Sequence, residues 1–217
     1  MSDVDDVVRR RHSSRMFLPD KPVPRELLDE ALTLAMRAPS NSNVQPWRVF
    51  LASGARRDRL AAALVHQVRS VPPPTLGLPE SHSHLRRQLG ALLYGAMGVA
   101  RDDDAGRWNA QLRNWDFFYA PVAGIVCMHR DLDLPDAIRV GMFLHTLLLA
   151  LTERSLDSCV QVSTALYPDV VREQLDIPGE LTVLCGICID YADPTFAANS
   201  IETPRNPVAE NVFFLEV

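Results

Sequence analysis

Pro39-Ser40-Asn41-Ser42-Asn43-Val44-Gln45-Pro46-Trp47 is a short polar loop closed at both ends by proline, and the chain changes character on either side of it. Before it, residues 24–37 (PRELLDEALTLAMR) place Pro24 at a first helical turn and Leu27, Leu28, Ala31, Leu34 and Ala35 on one face, with Pro39 as the stop. Behind it, Trp47-Arg48-Val49-Phe50-Leu51 has the composition of a strand. Short amides and hydroxyls held between two prolines suit the flat, hydrogen-bonding edge of a ligand, although a polar turn without function looks much the same. Helix, polar loop and strand in this order make the loop a candidate site.

Upstream, Arg9-Arg10-Arg11-His12-Ser13-Ser14-Arg15 ends a short helix expected over 3–12. Guanidinium forks beside hydroxyls suit a phosphate dianion, and equally the arginines could do no more than favour a helix C-terminus. Downstream, the pattern predicts a helix over 56–68, a proline-rich connection over 70–80 and a long helical stretch over 81–112. Gly90, Ala91, Gly95, Ala96 and Gly98 there are small enough to let another helix approach closely. Val122–Met128 reads as a strand, 136–153 as an apolar helix, 158–163 as a strand, 168–175 as a short helix and 181–189 as a strand. From Pro194 to Val217 periodicity is lost, yet Val212-Phe213-Phe214-Leu215 is too apolar for a free tail and is expected to pack on something, such as another subunit.

The 217 residues, 47% hydrophobic and 23% charged, suit one compact domain over 1–217, with 194–217 as an extension. A chain of this length buries roughly 70% of its unfolded surface, enough to enclose a cofactor without disulfides. With 22 basic and 27 acidic residues the net charge is −5, which argues against nucleic acid as a partner. No apolar run approaching the ~20 residues of a membrane span is evident, and the start MSDVDDVVRRRH lacks a signal-peptide core, so a cytoplasmic location without membrane attachment is expected. Cys127, Cys159, Cys185 and Cys188 lie in apolar segments and read as reduced, buried thiols.

Taken together, R-H-S-S-R-M-F at 11–17 and P-S-N-S-N-V-Q-P-W at 39–47 resemble the FMN-dependent nitroreductase family, whose members carry an R-x-S-x-R/K-x-F segment and a P-S-x-x-N-x-Q-P-W loop one helix apart. The resemblance continues in order through Leu93–Arg101, Arg113–Pro121, Gly141-Met-Phe-Leu-His145, Gly186–Asp193 and Asn199 to Arg205, nearly the whole chain. It implies an α+β fold with a mixed central sheet flanked by helices, an intertwined homodimer, and two FMN molecules at the subunit interface. The C-terminal extension would wrap the partner.

By the same resemblance, Arg11 and Arg205 would meet the FMN phosphate, with His12 and Ser13 beside the phosphate or ribityl chain. Arg15 would lie near the pyrimidine edge, where a fixed cation stabilises the negative charge that reduction places at N1 and C2=O. Pro39, Ser40, Asn41 and Asn43 would reach the flavin of the other subunit, and Asn114 would add a ring contact. Backbone N–H groups of Val162 and Ser163 would face flavin N5. The family often has Gly or Glu at that place, and some members carry Lys where this chain has Thr203.

The implied activity is hydride transfer from NADH or NADPH through flavin N5 to a small nitroaromatic or quinone acceptor, in ping-pong order. No G-x-G-x-x-G follows a strand, so the nicotinamide would stack on the exposed flavin face rather than occupy a domain of its own. The same fold could serve a flavin oxidase, a dehydrogenase or a reductive dehalogenase, or a carrier that binds FMN without turnover. Residues near 66–90 and 108–116 would decide the acceptor. Cys185-Gly-Ile-Cys188 has strand surroundings unlike a redox dithiol, Glu80-Ser-His82-Ser-His84 lacks a second ligand cluster, and Asp102-Asp103-Asp104 lacks the pattern of a calcium loop; all three read as structural.

Overall fold

The computed structural model describes residues 4–18, 20–74 and 77–215. Asp3 of the expected first helix, 75 and 76 of the proline-rich connection, and 216 and 217 at the C-terminus lie outside them. Four antiparallel strands, β1 (Arg48–Ser53), β2 (Val122–His129), β3 (Asp157–Gln161) and β4 (Leu181–Asp190), lie in the order β1-β2-β4-β3. The expectation of a mixed sheet is corrected to this extent: the one parallel pairing among the described residues is the isolated bridge between Ser13 and Ser158.

Helices cover both faces of the sheet, giving an α+β fold. On one side α2 (Arg25–Ala35) and α6 (Leu134–Glu153) pack Leu28, Ala31, Phe143 and Leu147 against Val126 and Ile187. On the other, α3 (Gly54–Ser70) and α7 (Pro168–Leu175) bring Leu60, Leu64 and Val171 against Ile125 and Cys127. Central strand β2 is buried on both faces from Val122 to Met128, which is why it reads as a continuous apolar run instead of an alternating one. A bulge sets Val126 opposite Cys185 but Cys127 opposite Val183, so Leu184 has no cross-strand partner and the faces of β4 exchange there.

The helical pattern expected over 81–112 is two helices, α4 (Glu80–Ala96) and α5 (Asp104–Leu112). Gly98 adopts φ +69°, and the amides of Gly98 and Val99 turn back to the carbonyls of Gly95 and Tyr94, which closes α4. Asp103 then opens α5 by accepting a hydrogen bond from the Gly106 amide (2.8 Å). Gly90, Ala91 and Gly95 face open space beside α5 and do not seat a packed helix; α4 has no buried residue.

Helix α6 corrects a second expectation. It has 20 residues and a mean hydropathy of 1.4, which by length and composition alone is enough to cross a membrane. Asp136, Arg139 and Glu153 break the run in the sequence and obscure this. Here one face of α6 packs on the sheet, while Leu134, Ile138 and Met142 on another are exposed. After β4 the chain passes a 3-10 turn (Ala197–Ser200) and a single helical turn, α8 (Val208–Asn211), and Phe213, Phe214 and Leu215 are 75%, 84% and 91% exposed.

Candidate functional site

Helix α1 (Val4–Arg10) closes with the Arg11 amide on the Val7 carbonyl, and the chain then runs along the free edge of β3. The Ser14 amide donates to the Ser158 carbonyl (3.1 Å), and Ser14 Oγ donates to Asp157 Oδ1 (3.3 Å). His12 directs Nδ1 to the Arg10 carbonyl (2.8 Å). Buried Asn199 fixes the end of the segment: its Oδ1 accepts from the Arg15 amide (2.7 Å), and its Nδ2 donates to the carbonyls of Met16 (2.8 Å) and Asp193 (3.0 Å). Arg15 is thereby placed at the end of β3, with Nη1 on the Ser13 carbonyl (3.0 Å).

At that end β3 stops at Gln161. Val162 and Ser163, expected within the strand, instead begin a 3-10 turn (Val162–Leu166). The turn presses on β4 so closely that a Cβ on Gly186 would come within 2.7 Å of Thr164 Oγ1. Two bonds tie it to the stretch after α5: Gln161 Nε2 donates to the Asn114 carbonyl (2.5 Å), and Trp115 Nε1 donates to the Ser163 carbonyl (3.1 Å). Arg15, Asn114 and Phe118 line a cavity of about 430 Å³ together with Leu93 and Tyr94 of α4 and Met97 just after it.

Gln161 Oε1, Ser163 Oγ and Arg113 Nη1 are buried without a hydrogen-bond partner. None of these three residues lines the cavity, and Arg113 lines a neighbouring one with Asp116. The cavity's own lining, with Arg15, Gln111 and Asn114 as polar groups and Leu89, Leu93 and Met97 as an apolar wall, fits the isoalloxazine of FMN, which has one polar and one apolar end.

The remaining sequence candidates lie elsewhere. Loop 39–43 is held by a bond from the Gln45 amide to Ser40 Oγ (3.1 Å) and by Trp47, which stacks on Phe143 at 5.0 Å. Ser42, Asn43 and Gln45 take φ of 49°, 56° and 48°, a concentration of left-handed backbone that ordinary loops avoid. Pro39, Ser40 and Asn41 line a different cavity, of about 270 Å³, with Pro135, Ile138 and Met142 of α6. Arg205 lies on the exposed C-terminal stretch with Nη1 on the carbonyls of Thr203 and Pro204. One chain thus gathers Ser13, Arg15, Asn114, Val162 and Ser163, and leaves loop 39–43 and Arg205 outside that cluster.

The cysteine pair is settled by the alternation of side chains along β4, where Cys185 and Cys188 are three residues apart beyond the bulge. Cys185 packs among the α6-side residues and Cys188 among the α3-side residues, so their thiols point to opposite faces. Burial pushes Cys185 up to about 11 and Cys127 up to about 12, which keeps both protonated. His82 and His84 lie on α4, and among the described residues no three or more His, Cys, Asp or Glu group as metal ligands.

Asp190 stands directly across from Asp157 in the β3–β4 pairing and is fully buried with both oxygens unpaired. Burial, reinforced by the Asp157 charge and opposed by Lys21 and the Tyr191 and Leu18 amides, pushes its carboxyl up to about 6. A raised carboxyl pKa means that the native state holds its proton longer than the unfolded chain. Stability therefore falls as pH rises from about 4 through about 6, by up to about 3 kcal/mol. Asp190→Asn should remove that slope, so urea unfolding at pH 7 should show the variant more stable than the parent, with no advantage at pH 4. Equal stability at pH 7 would mean that the carboxylate is not penalised.

Helices on both faces of an antiparallel sheet, with a cation, two side-chain amides and an apolar wall around a cavity at one strand end, define an α+β domain with room for a flat cofactor. Residues 8–190 match the nitroreductase family, and the chain belongs to that family. It is 36% identical over 221 residues to a 4-nitrobenzoate reductase of Nocardioides sp. (strain LMS-CY), covering 97% of this chain and 89% of that protein. Among solved structures it resembles the FMN and NADPH-dependent nitroreductase NfnB from sphigopyxis sp. strain HMH, with a TM-score of 0.94 and 30% identity over 100% of both chains. It also resembles the FMN-dependent nitroreductase NfnB from Mycobacterium smegmatis in complex with NADPH, with a TM-score of 0.90 and 33% identity over 98% of this chain and 97% of that one.

Proposed function

We propose that this chain is a homodimeric FMN-dependent oxidoreductase that takes hydride from NADPH and reduces nitroaromatic or quinone acceptors in ping-pong order. The observation that carries the reading is the cavity bounded by Arg15, Gln111 and Asn114 and walled by Leu89, Leu93 and Met97, in a chain that matches FMN- and NADPH-dependent nitroreductases along nearly its whole length. FMN, when bound, supplies the two-electron carrier that neither protein nor acceptor contains.

The chain's own residues bind and bias that carrier. Arg15, fixed through its backbone by Asn199, would hold a cation beside the part of the bound flavin where reduction builds negative charge, in a setting partly shielded from water. Val162 and Ser163, in the turn that follows β3 and clamped by Gln161 and Trp115, would present their backbone N–H groups to the reacting edge. Arg11, His12, Ser13 and Arg205 serve the phosphate and ribityl chain, and Pro39, Ser40, Asn41 and Asn43 reach the flavin of the partner.

The dimer reading is supported by apolar surface that a single chain leaves uncovered: Leu134, Ile138 and Met142 on α6, and Phe213, Phe214 and Leu215 at the C-terminus. The chain is one domain over 1–217, and its 194–217 extension lies on the partner.

Purified protein should be yellow and release FMN on heating. NADPH should bleach it, and a nitroaromatic acid or a quinone should restore the colour. Protein that takes up no FMN, or bound FMN that NADPH does not bleach, would overturn the reading. Arg205→Ala should weaken FMN about 10- to 150-fold, because a charge-assisted phosphate bond contributes about 1.5–3 kcal/mol. Its melting point should drop below the parent's mainly when FMN is in excess, since the ligand stabilises only the folded state. Unchanged FMN affinity would remove Arg205 from the phosphate site.

A further inference from the structure

The 430 Å³ cavity at Arg15 and Asn114 continues into a second, of about 530 Å³, between α4 and the start of α5. Arg86, Gly90, Tyr94 and Arg107 line both, so the two form one groove. Its outer half ends between Arg87 on α4 and Arg101 in the connection to α5, with Arg86 and Arg107 beside them. Two arginines in the outer half of a groove and two more at its junction are unexpected in a chain of net charge −5. Of the acids nearby, Asp103 is engaged as the cap of α5, Asp104 pairs with Arg107, and Asp102 next to Arg101 is exposed.

The small residues of α4 take their meaning from this groove. Gly90, Ala91 and Gly95 leave its wall without bulky side chains, and Gly95 has nothing within 4 Å of where a Cβ would stand. Arg107, at the junction of the two cavities, and Asn114 are seven residues apart along α5 and its continuation, about 10 Å at the helical rise of 1.5 Å per residue. A ligand that reaches from Asn114 past this junction to Arg87 and Arg101 needs a flat group at the flavin and an anionic group well beyond the length of a single substituted benzene ring.

We infer that this groove binds the hydride donor, with the phosphate monoester on its adenosine ribose held by Arg87 and Arg101, and that these arginines select NADPH over NADH. The inference rests on the reading of the chain as an FMN-dependent NADPH oxidoreductase. Guanidinium groups give paired, charge-assisted hydrogen bonds to a phosphate dianion, and NADH carries a hydroxyl at that position. Arg87 and Arg101 are exposed, so their removal should leave the core and the flavin site intact.

The test uses FMN-loaded protein and the variant Arg87→Ala/Arg101→Ala. In single-turnover bleaching, the half-saturating NADPH concentration should rise about tenfold or more, while that for NADH and the limiting rate at saturation stay within twofold. Adenosine 2′,5′-bisphosphate should compete with NADPH on the parent and lose about tenfold or more in affinity on the variant, whereas AMP should bind both equally weakly. Arg101→Lys alone should retain part of the preference. Three results would each overturn the inference: an unchanged NADPH-to-NADH ratio; loss of FMN from the variant, which would make the groove a flavin-phosphate site; or a higher KM for a nitrobenzoate but not for neutral nitrobenzene with the NADPH ratio intact, which would assign the arginines to an acidic acceptor. Parent protein whose FMN no nicotinamide bleaches would fail at the earlier step, and is told apart by that.

Discussion

Arg57→Met should lower the stability of the protein by about 3–5 kcal/mol, and its melting point by about 6–20 °C. Arg57 sits on α3 with its side chain 11% exposed, donating through Nε to the Ala120 carbonyl (2.8 Å) and pairing through Nη2 with Asp116 Oδ1 (3.0 Å). These contacts clamp a turn in which Phe117, Phe118 and Tyr119 take φ of 50°, 51° and 68° in succession. Each left-handed residue without glycine's freedom costs about 1–2 kcal/mol, and three together persist only where their surroundings fix them. Arg57 Nη2 also donates to the Asp116 carbonyl (2.5 Å), so methionine keeps most of the packing volume but leaves a carboxylate and two carbonyls short of a donor.

The double variant Arg57→Met/Asp116→Asn should recover part of that loss, since the unpaired charge is removed with its partner. Phe118 lines the proposed flavin cavity, so FMN should also bind more weakly to the single variant. Urea denaturation without flavin, followed by flavin titration, separates the two effects. A loss below about 1 kcal/mol would show that the turn holds itself.

Much of the fold was legible because burial leaves a periodic trace. The helix expected over 168–175 and the strand over 181–189 match α7 and β4 within a residue, for Pro168 and the apolar run of β4 mark them locally. Breaks were harder where the signal was small. Gly98 and Asp103 separate α4 from α5, yet the apolar pattern continues across them and hides the gap. Val162 and Ser163 have strand composition, and their turn is imposed by Thr164 closing on Gly186, a contact 22 residues away in sequence.

The site was legible only as motifs. Segment 11–15 and loop 39–43 carry short, dense polar patterns, whereas their supports are single residues from distant parts of the chain. Asn199 holds Arg15 from 184 positions away, and Gln161 holds the Asn114 carbonyl from 47. No spacing rule links such pairs. Arg57 likewise reads as one more polar residue of an amphipathic helix, because only the fold buries it.

Two inactive variants should restore one another when refolded together. Arg15 lines the cavity by α5, and Ser40 and Asn41 line a different one on the exposed face of α6. In the proposed dimer each flavin takes segment 11–15 from one subunit and loop 39–43 from the other. Take Arg11→Ala/Arg15→Ala as one variant and Ser40→Ala/Asn43→Ala as the second, each inactive alone. In a mixed dimer one site collects both defects and the other receives two intact segments, so a mixed dimer should recover up to half of the parent's activity. Random pairing makes about half of the dimers mixed, and the refolded sample should therefore reach about a quarter of the parent's activity at equal total protein. Mixing without unfolding controls for subunit exchange. If each site were built within one chain, every site in the mixture would keep a defect, and no activity would return at any mixing ratio.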